Sequence, residues 1–193
     1  PIVHRIASLV HRTASLVHRT ASLVSEKESG MGMFVERIPL RVQPETFVHL
    51  QRRHPLRDIL VNGERQGQKI PVVEMDPAEW ERVIAINLGG TFLCSRAVLP
   101  GMIQRKYGKI INISSVAGKT GGFAGGAHYA SSKAGILGLT KAIAREVAVY
   151  GINVNAVIPS RIESAMGYSI PEAKLRERLS QIPLGRFGTP NDV

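Results

Sequence analysis

Cysteine is almost absent from this chain: Cys94 is the only one. An internal disulfide is therefore excluded, and a lone thiol on the apolar face of a helix reads as a small buried hydrophobe rather than a nucleophile. An intracellular, reducing compartment is the expectation, and a cytoplasmic location with it. No uninterrupted run of 18 apolar residues occurs, so no membrane span is expected. Aromatic residues are 5% of the chain and do not interleave with basic ones. The formal net charge of +10 therefore does not point to nucleic acid. The excess is spread out, with nine Lys/Arg against four Asp/Glu in residues 1–57 and sixteen against eleven in residues 58–193. A solvated surface, suited to a phosphorylated cofactor or substrate, explains it as well. At 193 residues the chain is one domain's worth of protein.

Glycine is missing where a nucleotide-binding fold most needs it. Residues 1–57 contain only Gly30 and Gly32, in SGMGMFVER after a charged run. That stretch has no third glycine at the spacing of a pyrophosphate-binding turn. Gly118-Lys119-Thr120 imitates the end of a P-loop, but the glycine required five positions earlier is Ile113. The segment 118–128, GKTGGFAGGAH, reads instead as a flexible loop of small residues that leaves room for a substrate.

Residues 3–24 carry a heptad repeat, VHRIASL, VHRTASL, VHRTASL and a final Val. On a helical wheel Val, Leu and Ala share one side with the Ile/Thr position, so an amphipathic helix is possible. Consecutive histidines of His4, His11 and His18 would stand about 10 Å apart on it, too far for one zinc ion at about 2.0–2.1 Å from each nitrogen. No metal site is expected. Three arginines without an acid resemble a transit peptide or a basic membrane-surface helix, but the chain begins with Pro1 rather than Met. The segment is read as a low-complexity extension of cloning, gene-model or slippage origin. Residues 1–29 are assigned to this extension, and residues 30–57, with one possible strand and a basic stretch, are left unassigned.

From residue 58 onward the patterns are regular. DILVN, KIINIS and INVNAVI are short, rich in β-branched residues and apolar almost throughout, as parallel strands covered on both faces are. Asp76, Pro77 and Glu79 form an N-cap, a first helical position and a capping-box glutamate. They open a helix predicted to run to about Arg105, with Ile84, Leu88, Phe92 and Ala97 near one face. Gly89 and Gly90 interrupt it, which suggests close approach of another backbone. The alternation of strand and helix is a βαβαβ pattern, half of a doubly wound α/β fold.

Tyr129 and Lys133, in YASSK, stand four residues apart and hence on one helical face. A neighbouring ammonium favours the ionised phenol and makes the tyrosine a usable acid or base. Ser114 and Ser115 end the strand KIINISS, where a hydroxyl can hold a carbonyl oxygen. Carbonyl and alcohol interconversion is the chemistry this suggests.

Five motifs, DILVNG (58–63), AINLGG (85–90), KIINISSVAG (109–118), YASSK (129–133) and INVNAVIPSRIES (152–164), occur with the tail PLGRFGTPNDV. In this order they resemble the short-chain dehydrogenase/reductase family, and residues 58–193 are similar to its classical members, the 3-oxoacyl thioester reductases and the glucose and other sugar-alcohol dehydrogenases. The resemblance implies an incomplete Rossmann-like sheet, without a recognisable first βαβ half or last strand. It also implies that residues 58–193 are the catalytic part, using NAD or NADP to interconvert a small carbonyl compound and a secondary alcohol. By the same resemblance Tyr129 is the acid/base and Ser115 polarises the carbonyl. Lys133 supports the phenolate and binds the nicotinamide ribose, and Asn87 holds a water that relays protons from Lys133. The implied cofactor-binding residues are Asn62, Gly63, Tyr129, Lys133, Pro159, Ile162 and Ser164.

The departures are equally specific. The family's Asn-Asn-Ala-Gly is reduced to Asn62-Gly63, its Pro-Gly is Pro159-Ser160, and the sequence stops before the expected last strand. Without a first strand, DILVN should be an unpaired apolar edge. Two functions follow: an NAD(P)-dependent oxidoreductase, expected as a homodimer or homotetramer, or a non-catalytic remnant that associates through its two long helices. Neither nucleic acid nor a membrane is an expected partner.

Overall fold

A computed structural model describes residues 20–22, 25–26, 33–34, 37–39, 59–62, 68–122, 125–162, 172–189 and 192–193. The described residues divide into two compact units, one within Val17–Ile158 and one within Pro159–Val193. His4, His11 and His18 lie outside the described residues.

The first unit is built on β1 (Thr20–Ser22), β2 (Ser25–Glu26), β3 (Met33–Phe34), β4 (Arg37–Pro39) and β5 (Ile59–Asn62). Helix α1 (Pro77–Ile84), a π-helical turn (Ala85–Gly89) and α2 (Gly90–Arg105) follow, then β6 (Gly108–Ile113). A single turn α3 (Ala117–Thr120), the long α4 (Gly126–Val147) and β7 (Ile152–Val157) complete it. Five strands form one sheet in the order β2-β3-β5-β6-β7, with β3, β5, β6 and β7 parallel and β2 antiparallel to β3. A two-stranded antiparallel sheet joins β1 to β4.

Strand β5 is therefore not the unpaired edge its sequence context suggests. Ile59 and Leu60 pair with Met33 and Phe34. The short apolar segment of MFVER supplies the backbone partners that a bare edge would lack. Thr20–Ser22, the part of the heptad repeat among the described residues, is strand rather than helix, because Arg37–Pro39 satisfies its backbone. Three heptads contain too little intrinsic helix stability to resist that pairing.

Burial along the core strands alternates. Gly108, Ile110 and Asn112 on β6, and Ile152 and Val154 on β7, are buried, while Lys109, Asn153 and Asn155 are exposed. The opposite face even carries a Lys109–Asn153 hydrogen bond of 3.0 Å. Helices α2 and α4 thus cover one face, contrary to the two-sided burial expected of apolar parallel strands. The core comprises Leu60, Cys94, Met102, Ile110, Ile143, Val147, Ile152 and Val154. Gly108 is required there, because a Cβ would stand 2.6 Å from the Met102 Cγ.

Helix α1 starts as its sequence dictates: the Asp76 carboxylate accepts the Ala78 N–H at 2.8 Å and Pro77 takes the first turn. The capping box does not close. Glu79 turns instead to Arg82, which donates to it at 2.7 and 2.8 Å. The buried stripe of the long helix also differs from the apolar one. Val83, Asn87, Thr91, Cys94, Ser95 and Met102 face inward, whereas Phe92 is 46% exposed. Polar residues occupy that stripe because each of Asn87, Thr91 and Ser95 is hydrogen-bonded. The stretch Pro77–Arg105 is long and apolar enough to cross a bilayer by length and composition alone. Its hydrogen-bonded inner stripe is that of a core helix.

Gly89 and Gly90 do not mark a close approach. A Cβ at Gly90 would meet nothing within 4 Å, and one at Gly89 only the Ile84 carbonyl at 3.9 Å. They sit instead at the end of the π-helical turn that contains Asn87, a distortion frequent at functional sites. The close contact lies on α4, where a Cβ at Gly135 would stand 2.7 Å from a Leu88 methyl.

In the second unit α5 (Glu172–Ser180) precedes a terminal turn. Asp192 accepts from Arg186 at 2.8 and 3.2 Å and from the Thr189 N–H and hydroxyl at 2.6 and 2.9 Å.

Candidate functional site

Strand β6 delivers the serine pair and α4 delivers Tyr129 and Lys133. The two elements are fastened where they meet. The Lys133 ammonium, 2% exposed, donates to the Ile113 carbonyl at 3.0 Å. The Ser114 hydroxyl, 4% exposed, donates to the Lys133 carbonyl at 2.7 Å. A side chain at Gly118 is impossible, because its Cβ would stand 2.7 Å from the Lys133 carbonyl carbon and the Ala134 nitrogen. This glycine of the P-loop imitation is thus needed for packing against α4.

Tyr129 is half-buried, and the Lys133 Nζ lies 5.9 Å from its ring centroid. The four-residue spacing does bring the ammonium to the phenol ring, within cation–π range. Ser114 is committed to the fold, whereas Ser115 is partly exposed and, among the described residues, its hydroxyl accepts only the Ala117 N–H at 3.2 Å.

Asn87 is fully buried, and its amide donates to the Ser132 hydroxyl at 2.9 Å. Ser132 in turn donates to the Tyr129 carbonyl at 2.7 Å. The same network runs through the core to β5. Asn62 donates to Asn112 at 2.8 Å and to Ser95 at 3.2 Å, and Asn112 donates to Thr140 at 2.9 Å. The Ser95 hydroxyl donates to the Thr91 carbonyl, and the Thr91 hydroxyl to the Asn87 carbonyl, each at 2.8 Å. Asn62, expected at the cofactor, thus spends both amide hydrogens inside the protein.

Residues beside the tyrosine carry constraints that sequence reasoning missed. His128 is fully buried, and its Nδ1 accepts the Tyr129 N–H at 2.7 Å. Its Nε2 has no hydrogen-bond partner among the described residues and lies 3.9 Å from the Glu79 carboxylate. The hydrogen-bonded Arg82 guanidinium holds the Glu79 carboxyl below its ordinary value, against a smaller desolvation effect. A Cβ at Gly125 would run into the Tyr129 side chain, and one at Gly126, where φ is +66°, would stand 2.9 Å from the Gln68 carbonyl. The glycines of the loop therefore do more than leave room. The only sequence signal for these roles was adjacency to Tyr129 and Lys133.

Beside the start of α4 lies an open groove of about 530 Å³, lined by Lys69, Ile70, Val72, Gly122, Ala127 and Ser131 among others. Gly121, Gly122 and Gly126, from the loop after Ser115, form one wall. Pro159 and Ile162 belong to the second unit, where Ile162 pairs with Gly188. Gly63 and Ser164 lie outside the described residues.

The sequence and fold have known counterparts. A family model described as short chain dehydrogenase matches residues 9–175, beginning well before residue 58, where the motifs start. The chain is 44% identical over 136 residues to a 3-oxoacyl-[acyl-carrier-protein] reductase of Thermotoga maritima, covering 70% of this chain and 55% of that protein. It is 44% identical over 137 residues to an acetoacetyl-CoA reductase of Shinella zoogloeoides, covering 70% and 56%. The fold matches the crystal structure of a 3-oxoacyl-[acyl-carrier protein] reductase from Brucella melitensis with a TM-score of 0.68 and 35% identity, over 82% of this chain and 62% of that one. The chain thus spans little more than half the length of the sequence relatives it matches. With more than half of its residues matched by the family model, it belongs to the short-chain dehydrogenase family.

Proposed function

We propose that this chain is an NAD(P)-dependent oxidoreductase that interconverts a ketone and a secondary alcohol, with a 3-oxoacyl thioester as the favoured substrate class. The observation that carries this reading is the Lys133 ammonium, anchored to the Ile113 carbonyl at 3.0 Å and 5.9 Å from the Tyr129 ring. Ser115, two residues beyond Ile113, is the less buried hydroxyl of its pair.

In reduction, the Ser115 hydroxyl donates a hydrogen bond to the substrate carbonyl oxygen, and the Tyr129 phenol donates its proton to that oxygen as it becomes an alkoxide. The Lys133 ammonium compensates the charge left on the phenolate and restores its proton. Asn87, tied through Ser132 to the Tyr129 backbone, holds the helix that presents both groups and the water that links Lys133 to solvent. The groove beside Ala127 and Ser131 receives the rest of the substrate.

The nicotinamide supplies the hydride when bound. Buried Lys133 and half-buried Tyr129 fit its ribose hydroxyls as donor and acceptor, with Pro159, Ile162 and Ser164 assigned to its nicotinamide end by motif. We assign the chemistry to residues 58–193 and expect a cytoplasmic homodimer or homotetramer formed through α2 and α4. The second reading, a non-catalytic remnant that oligomerises through these helices, is favoured by the absence of a glycine-rich turn between Met33 and Asn62.

Titration of the purified chain with NADH and NADPH, followed by nicotinamide fluorescence, decides between them. Binding at or below millimolar concentration with turnover of an acetoacetyl thioester is the expected result. Failure to bind either cofactor overturns the enzyme reading.

A further inference from the structure

Strand β3 stands beside β5, the place in a doubly wound sheet from which the chain should turn into the pyrophosphate-binding loop. That turn requires glycines that let a diphosphate approach backbone N–H groups, followed by a helix whose N-terminus faces the anion. Here the glycines are missing. Gly30 and Gly32 precede β3 rather than follow it, and no glycine occurs from Met33 through Asn62. Within three residues of Phe34 the backbone is extended again, because Arg37–Pro39 forms β4 and pairs antiparallel with Thr20–Ser22. The two intervening residues are Val35 and Glu36, neither of them the glycine that such a turn uses. By contrast, the nicotinamide ribose end has its tyrosine and lysine on one rigid helix.

We propose that the chain recognises the nicotinamide mononucleotide half of the cofactor alone, so that the pyrophosphate, adenosine and any 2′-phosphate add no affinity. This rests on the oxidoreductase reading above. Discrimination between NADH and NADPH disappears with the same contacts, since both differ from the mononucleotide only in the part that finds no seat.

The test is calorimetric titration of the full chain with reduced nicotinamide mononucleotide, NADH and NADPH. It is run at 0.15 M salt so that the net charge of +10 does not favour the more anionic ligands. The three dissociation constants should agree within about threefold, and ADP should not displace the mononucleotide. Lys133→Gln should weaken all three ligands by a common factor. NADH or NADPH binding more than about threefold tighter than the mononucleotide, or displacement by ADP, would overturn the proposal while leaving the oxidoreductase reading intact. Binding of none of the three up to about 10 mM overturns both.

Discussion

Ser114 is hydrogen-bonded to Lys133, and Lys133 in turn to the residue that precedes Ser114. The serine hydroxyl donates to the Lys133 carbonyl at 2.7 Å, and the Lys133 ammonium donates to the carbonyl of Ile113, the serine's chain neighbour, at 3.0 Å. This clamp sets the height of α4 against the end of β6, and with it the position of Tyr129. It also separates the roles of the two serines. Ser114→Ala should lower unfolding stability by about 1 kcal/mol, the net contribution of one neutral hydrogen bond, while substrate reduction persists. Ser115→Ala should keep the fold and lower kcat by roughly a hundredfold or more, as loss of a carbonyl-polarising donor does. Denaturant unfolding and steady-state kinetics on both variants would show whether the assignments are reversed.

Tyr129→Phe removes the proton donor without changing the ring that packs near Lys133. Turnover should become undetectable while cofactor affinity changes little. A phenylalanine variant with a normal rate would exclude the tyrosine from the chemistry.

Gly125 has φ −116°, which any residue adopts, so its substitution tests contact alone. The Cβ of Gly125→Ala would collide with the Tyr129 side chain. Overpacking of this kind costs about 1–3 kcal/mol, and the Tyr129 ring signals should shift in NMR spectra. Unchanged stability and unchanged ring shifts would mean that the loop yields at no cost.

Asn112 sits at the centre of the buried polar network, accepting from Asn62 and donating to Thr140. Asn112→Leu leaves an Asn62 amide hydrogen without a partner in the core. The expected loss is about 2–3 kcal/mol. A loss below about 0.5 kcal/mol in urea unfolding would show that the network does not stabilise the fold.

Asp192 is held well below the ordinary carboxylate value of 3.8, first by the Arg186 hydrogen bonds and then by the Thr189 N–H and hydroxyl. A carboxylate depressed in the folded state contributes stability above its unfolded value and loses it as pH falls. The terminal turn should therefore keep its full support above about pH 4 and weaken progressively below it. The carboxyl carbon shift of Asp192, followed as the pH is lowered from neutrality, should titrate well below the ordinary value of 3.8; a midpoint at that value would mean that the turn does not hold the charge.

The strands of residues 58–193 were legible within a residue or so, because apolar β-branched runs bounded by turns have few other uses. Asp76 and Pro77 marked a helix start for an equally local reason. The inner face of that helix was not legible. An apolarity argument selects Phe92, but the fold buries Asn87, Thr91 and Ser95 because partners from β5 and α4 reach them. Likewise Gly118 and Gly125 looked like loop filler until the backbone of Lys133 and the ring of Tyr129 were found against them.

By itself the sequence determined the family, through the order of its motifs, and the nearness of Tyr129 to Lys133, since a four-residue spacing places both on one helix face without reference to the rest of the chain. It also determined that no glycine-rich turn follows Met33, which is a matter of composition. Only the tertiary structure decided which serine holds the fold, where the Asn62 amide is spent and what lies beside β5. Those outcomes depend on contacts between residues far apart in the chain, whose partners are selected by packing and by the cost of leaving a buried polar group unpaired.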